Sequence, residues 1–108
     1  MDMESHTTGN ITVLELAGRF DAYTAPPVAE WLDKSGAART VVNLSGVGFV
    51  DSSALAVLVK GMKRCRERQG DLYLCSLQQP VRIIFELTRL DKAFEIFADE
   101  AAAVGALA

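Results

Sequence analysis

The sequence predicts an α/β fold, an α+β sandwich formed by residues 1–108 as a single domain around one central sheet. Three observations carry this. Apolar, β-rich segments recur along the chain and alternate with stretches of helical spacing. The segment Thr40 to Leu44 (TVVNL) is almost continuously apolar, as a strand covered on both faces in a parallel or mixed sheet must be. Finally, 108 residues, half of them apolar, suffice for one buried core without disulfide or metal.

Ile11 to Ala17 (ITVLELA) reads as a strand, ended by Gly18. The residues before Gly9-Asn10 are expected to form a short partner strand, because Gly-Asn suits a tight hairpin turn. Thr24 precedes Pro26 and Pro27, which a first helical turn accepts. Val28, Trp31 and Leu32 then follow at helical spacing as far as Lys34, and Ser35-Gly36 closes that helix. After the Thr40–Leu44 strand, Ser45-Gly46-Val47-Gly48 reads as a loop. Phe49-Val50-Asp51-Ser52-Ser53 leads into the strongest helical pattern, with Leu55, Leu58, Val59 and Met62 on one face. Lys60, Lys63, Arg64 and Glu67 occupy its other face, and Gly70 stops it. Leu72 to Leu77 (LYLCSL) is a further strand. Pro80 opens a helix whose one side carries Val81, Ile84, Phe85 and Thr88. Phe94, Ile96 and Phe97 suggest a last short strand or an apolar turn, and a final helix follows from Asp99 into the alanine-rich tail.

The net charge of −3 marks no nucleic-acid binder. The basic run Lys60, Lys63, Arg64, Arg66, Arg68 reads as a solvated helix face. Cys65 and Cys75 form no CxxC pair and suit a reducing compartment; with one histidine in the chain, no zinc site is expected. Met1 to Asn10 is polar and acidic, unlike a signal peptide, and no apolar run reaches membrane-spanning length. The expectation is a cytoplasmic protein without cofactor, binding neither nucleic acid nor membrane, and a monomer or weak homodimer. Trp31, Phe85, Phe94 and Phe97 are expected in the core or at its margin.

Asp51-Ser52-Ser53 is the segment with chemistry to explain. Asp and Ser are preferred N-cap residues, since their oxygens accept hydrogen bonds from free backbone N–H groups, and capping alone accounts for one of them. A serine in the first turn also sits beside unpaired donors and the positive end of the helix dipole, both of which stabilise a phosphate. Phosphorylation there would add close to two negative charges next to Asp51. A nucleophilic Ser53 enzyme would need a base, and the only histidine, His6, lies in a segment expected to be loose. A receiver-like phosphoaspartate domain centred on Asp51 would need a pair of acidic residues for Mg²⁺, and only Asp21 is offered.

The stretch Val50-Asp51-Ser52-Ser53-Ala54-Leu55-Ala56-Val57-Leu58 resembles the signature of the anti-sigma factor antagonist (STAS) family. Leu16-Ala17-Gly18-Arg19-Phe20-Asp21 with Thr24-Ala25, the strand Val41–Leu44, and Val81 to Phe97 are similar to further parts of that family in order and spacing. The resemblance implies a central mixed sheet of four to five strands, with about four helices mainly on one face. It implies a regulatory protein and not an enzyme. Its partner would be an anti-sigma factor that is a serine protein kinase, its phosphoacceptor Ser53, and a serine phosphatase would reverse the modification. Asp51, Ser52 and Ser53, with Asp21 and Thr24, are then the implied partner-binding residues. An alternative within the family is a phosphorylation-independent docking module in a signalling complex. Ala54 and Ala56 stand where the family carries glycine. Alanine favours helix by about 0.8–1.0 kcal/mol, so a stiffer helix start is expected, with methyls that narrow access to Ser53.

Overall fold

The computed structural model describes all 108 residues. Five strands, β1 (Asp2–Thr8), β2 (Ile11–Phe20), β3 (Arg39–Val50), β4 (Asp71–Cys75) and β5 (Ile96–Phe97), form one sheet in the order β1-β2-β3-β4-β5. β1 runs antiparallel to β2, and every later pair is parallel, so the sheet is mixed. Helices α1 (Ala25–Ser35), α2 (Ser52–Glu67), α3 (Gln79–Leu87) and α4 (Glu100–Leu107) connect or follow the strands, with a 3-10 turn at Leu90–Lys92.

Alternation along the strands separates two cores. Leu14, Leu16, Val42, Leu44, Leu72 and Leu74 point to the face covered by Val28 and Leu32 of α1, Leu55, Leu58 and Met62 of α2, and Val81 and Phe85 of α3. Ile11, Val13, Val41 and Cys75 point the other way, where Ala103 and Leu107 of α4 cover them. Three helices on one face and one on the other agree with the expected arrangement. At the core margin Phe85 and Phe94 meet edge to face, with ring centroids 5.8 Å apart, and Trp31 and Phe97 are half-buried.

Several expected boundaries move. Gly18 does not end its strand: it takes φ +109 inside β2, where the pairing with β3 shifts register, and the ladder continues to Phe20. Ser45–Gly48 is not a loop but part of β3, because Ala17 pairs with Gly46 and Arg19 with Phe49. Only glycine fits there, as a Cβ on Gly46 would lie 2.6 Å from the Cβ of Ala17. β4 stops at Cys75 rather than Leu77, where Ser76 adopts a left-handed conformation (φ +63). Thr88, placed on the apolar side of its helix from spacing, is exposed past the end of α3. His6 is not in a loose segment: it belongs to β1, opposite Val13, and its Nε2 lies 3.1 Å from Glu100 Oε2. The two cysteines are free and buried in different cores on opposite sides of the sheet, and burial pushes both thiols above their ordinary pKa.

Candidate functional site

The parallel strands β2, β3 and β4 all end at one edge of the sheet, so the segments leading into α1, α2 and α3 gather there. In open α/β sheets this is where binding surfaces form, because loops and helix N-termini converge at the strand ends. The five residues singled out from sequence lie in two of these connections.

Asp51 is extended (φ −116, ψ −174) and caps α2: the Ala54 N–H donates to its Oδ1 at 3.0 Å. The second oxygen is also used. The Ala22 N–H, in the connection before α1, donates to Asp51 Oδ2 at 3.0 Å. The Asp51 N–H in turn donates to Phe20 O at 3.3 Å. One carboxylate therefore ties the mouth of α2 to the loop that precedes α1. Ser52 and Ser53 form the first turn of α2, Ser52 exposed and Ser53 half-buried.

Asp21 and Thr24 organise the neighbouring loop. The N–H groups of Tyr23 and Thr24 donate to Asp21 Oδ1 at 3.0 and 3.2 Å, and Arg19 Nε donates to Asp21 Oδ2 at 2.9 Å. The Thr24 hydroxyl accepts from the Asp21 N–H at 2.9 Å and donates to Arg19 O at 2.7 Å. Burial pushes the Asp21 carboxyl up, but the bonds from Tyr23, Thr24 and Arg19 outweigh it and leave its pKa below the ordinary carboxylate value. The structure thus brings Asp21, Thr24, Asp51, Ser52 and Ser53 onto one surface. Asp21 and Thr24 do so by shaping a loop, with their polar atoms spent inside it.

Sequence reasoning passed over the apolar and aromatic members of this edge. Tyr23 is 92 % exposed, at the tip of the loop that Asp51 holds. Phe49 is 39 % exposed, and the Arg19 guanidinium sits over its ring at 3.7 Å. The reading of Ser45–Gly48 as a loop hid this pair, since it concealed the register that sets Arg19 beside Phe49. The expectation for the two alanines is also modified. Ala54 is fully buried, so its methyl belongs to the core and does not narrow access to Ser53; only Ala56 is exposed.

The base considered for Ser53 is not beside it. His6 lies on the sheet face opposite α2, engaged with Glu100, whose other oxygen accepts from Asn43 Nδ2 at 3.1 Å. His6, Glu15 and Glu100 hold ligand-capable atoms within 4.8 Å of one another, a grouping that the His6–Glu100 hydrogen bond accounts for. Lys60 and Lys63 are exposed on the outer face of α2, while Arg64 pairs with Asp33 and Arg66 with Asp71. No helix is long and apolar enough to cross a membrane.

Comparison with known proteins agrees with this arrangement. An anti-sigma-B factor antagonist of Listeria monocytogenes is 34 % identical over 99 residues, covering 89 % of this chain and 86 % of that protein. A Thermotoga maritima protein provisionally assigned as an anti-sigma factor antagonist has the same fold (TM-score 0.90, 23 % identity, 97 % of this chain and 93 % of that one). So does the Bacillus cell fate determinant SpoIIAA in its phosphorylated form (TM-score 0.72, 17 % identity, 99 % and 100 %). The model of the STAS domain matches residues 2–103, nearly the whole chain. With its mixed sheet, its helix-capping Asp-Ser-Ser and this match, the chain belongs to the STAS domain family.

Proposed function

We propose that this chain is an anti-sigma factor antagonist: it binds an anti-sigma factor that is a serine protein kinase, and phosphorylation of Ser53 switches that binding off. A serine phosphatase restores the binding form. Asp51, Ser52, Ser53, Asp21 and Thr24, together with Tyr23, make up the surface the partner meets. The observation that carries the reading is the position of Ser53 in the first turn of a sixteen-residue helix, two residues after the carboxylate that holds the adjacent loop. The names of the relatives support it, as do the solved phosphorylated and unphosphorylated forms of SpoIIAA.

The physical consequence of modification follows from that position. A phosphate on Ser53 gains the free N–H groups and dipole of the helix start, so it is tolerated without unfolding. It also places roughly two negative charges beside Asp51 and presents them to the partner. Docking is lost by repulsion and by the cost of stripping water from the phosphate. Calorimetry with the cognate anti-sigma factor tests this. Ser53→Ala should bind as the wild type and resist modification. Ser53→Asp should bind at least about tenfold more weakly, or about 1.4 kcal/mol. Equal affinity of Ser53→Asp and wild type would discard the switch and leave a docking module without phosphorylation control.

A further inference from the structure

We propose that the free edge of β1 receives an extended segment of a partner protein, alternating basic and apolar residues, which pairs with it as a sixth strand. β1 lies at the end of the sheet, seven residues long, with nothing on its outer side. It has no proline, and its pairing with β2 runs without a register shift from Asp2 to Thr8, so no bulge turns the edge away. Gly9-Asn10 closes the hairpin between Thr8 and Ile11 as a two-residue turn, with Gly9 at φ +62. A two-residue turn makes Thr8 and Ile11 a hydrogen-bonded pair. By the alternation of an antiparallel ladder, Met3, Ser5 and Thr7 then direct their N–H and C=O groups outward.

Two clefts flank this edge, one on each face of the sheet, and their chemistry differs. On the α1 side a cleft of about 500 Å³ is lined by Met3, Pro27 and Trp31 together with Ser35 and the ion-paired Glu30 and Lys34. On the other side a cleft of about 260 Å³ is lined by three carboxylates, Asp2, Glu4 and Glu15, with no lysine or arginine among its walls and with His6 Nδ1 3.9 Å from Glu15 Oε1 beside it. The second cleft lies beyond the reach of α4, which covers Ile11 and Val13 and meets His6 through Glu100 but leaves Asp2 and Glu4 exposed. Glu4 and Glu15 are directly opposed in the ladder, an arrangement of like charges that a cation placed against them relieves. Side chains of an added strand alternate between the two faces. A segment whose odd residues are apolar and even residues basic therefore fills one cleft and neutralises the other, while its backbone meets Met3, Ser5 and Thr7. A second copy of this chain is a poor occupant, since it would set two sets of Asp2, Glu4 and Glu15 against each other. The edge is two strands away from the β3 end that carries Asp51 and Ser53, so this inference does not depend on the phosphorylation switch.

The probe is a synthetic peptide of the length of β1 alternating lysine and valine. Its control has the same composition, with the lysines and valines in two blocks. Binding is followed by calorimetry and by amide chemical shifts of the labelled protein. The alternating peptide should bind and should move the amides of Met3, Ser5 and Thr7. Glu4→Lys and Trp31→Ala should each weaken it at least about threefold. Ser5→Pro, which removes an outward N–H at an edge position that tolerates proline, should weaken it at least about tenfold. Ser53→Asp should leave it unchanged. Equal binding of the blocked control, shifts confined to other strands, or full affinity in a folded Ser5→Pro variant would each overturn the proposal. So would light scattering that shows the free chain to be a dimer abolished by Ser5→Pro.

Discussion

Removing the Asp51 carboxylate measures how much of the site is held by one side chain. In Asp51→Ala, α2 loses its cap to the Ala54 N–H, worth about 1 kcal/mol. The Ala22 N–H loses its charge-assisted partner 29 positions away in sequence. Such bonds contribute about 1.5–3 kcal/mol when buried, but Ala22 is exposed and its N–H can turn to water, so about 1–2 kcal/mol is the better figure here. The total is about 2–3 kcal/mol, a substantial part of the roughly 5–15 kcal/mol that holds a small domain folded. Asp51→Ser separates the two contributions: its shorter side chain caps the helix but does not reach Ala22, so about 1–2 kcal/mol should be lost. Urea unfolding gives these differences as midpoint shifts at constant slope. Hydrogen exchange should show the Ala22 amide opening faster in both variants, and the Ala54 amide faster in Asp51→Ala alone. If Asp51→Ala lies within about 0.5 kcal/mol of the wild type, the carboxylate does not fasten the loop and the description of the site is wrong.

Other perturbations test other parts of the structure. In Gly46→Ala the new methyl meets Ala17 at both Cβ and Cα, 2.6 and 2.9 Å away, and the ladder must shift. A loss of about 2–3 kcal/mol in urea unfolding is expected; the double variant with Ala17→Gly should recover part of it, and no recovery would mean that the Ala17 Cβ is not the obstacle. Asp21 has a folded pKa below its ordinary 3.8, so its contribution to stability is complete above that value and is lost as pH falls through the folded one. Asp21→Asn should thus be less stable than wild type at neutral pH, with the gap closing as the pH falls below that ordinary value. A gap that persists unchanged in acid would show that the carboxylate's charge is not what the loop uses.

Much of this fold is legible in the sequence, and the reasons differ by element. α2 announces itself because Leu55, Leu58 and Met62 must all reach one core, and 3.6-residue spacing is the only way a helix does that. Thr40–Leu44 announces itself by being apolar on both sides, because α2 and α4 cover opposite faces of it. Ser45–Gly48 does not. Serine and glycine signal a turn locally, whereas here they extend a strand because the Ala17 backbone lies too close for any side chain at position 46. Similarly, the cap on α2 can be read from Asp51 alone, since its donor is three residues on. The bond to Ala22 cannot, because it exists only once β2 and β3 have paired and brought two connections together. The surface around Ser53 was found through its polar residues; Tyr23 and Phe49 stayed hidden, since exposure of an aromatic ring leaves no periodic mark.

The strands lie side by side in the order in which they occur along the chain. None has to be threaded between two that already touch. Each strand pairs with the one that precedes it in the chain, with a helix at most sixteen residues long as the longest element to bridge the gap. Loop closure is therefore paid in small instalments rather than in one long search.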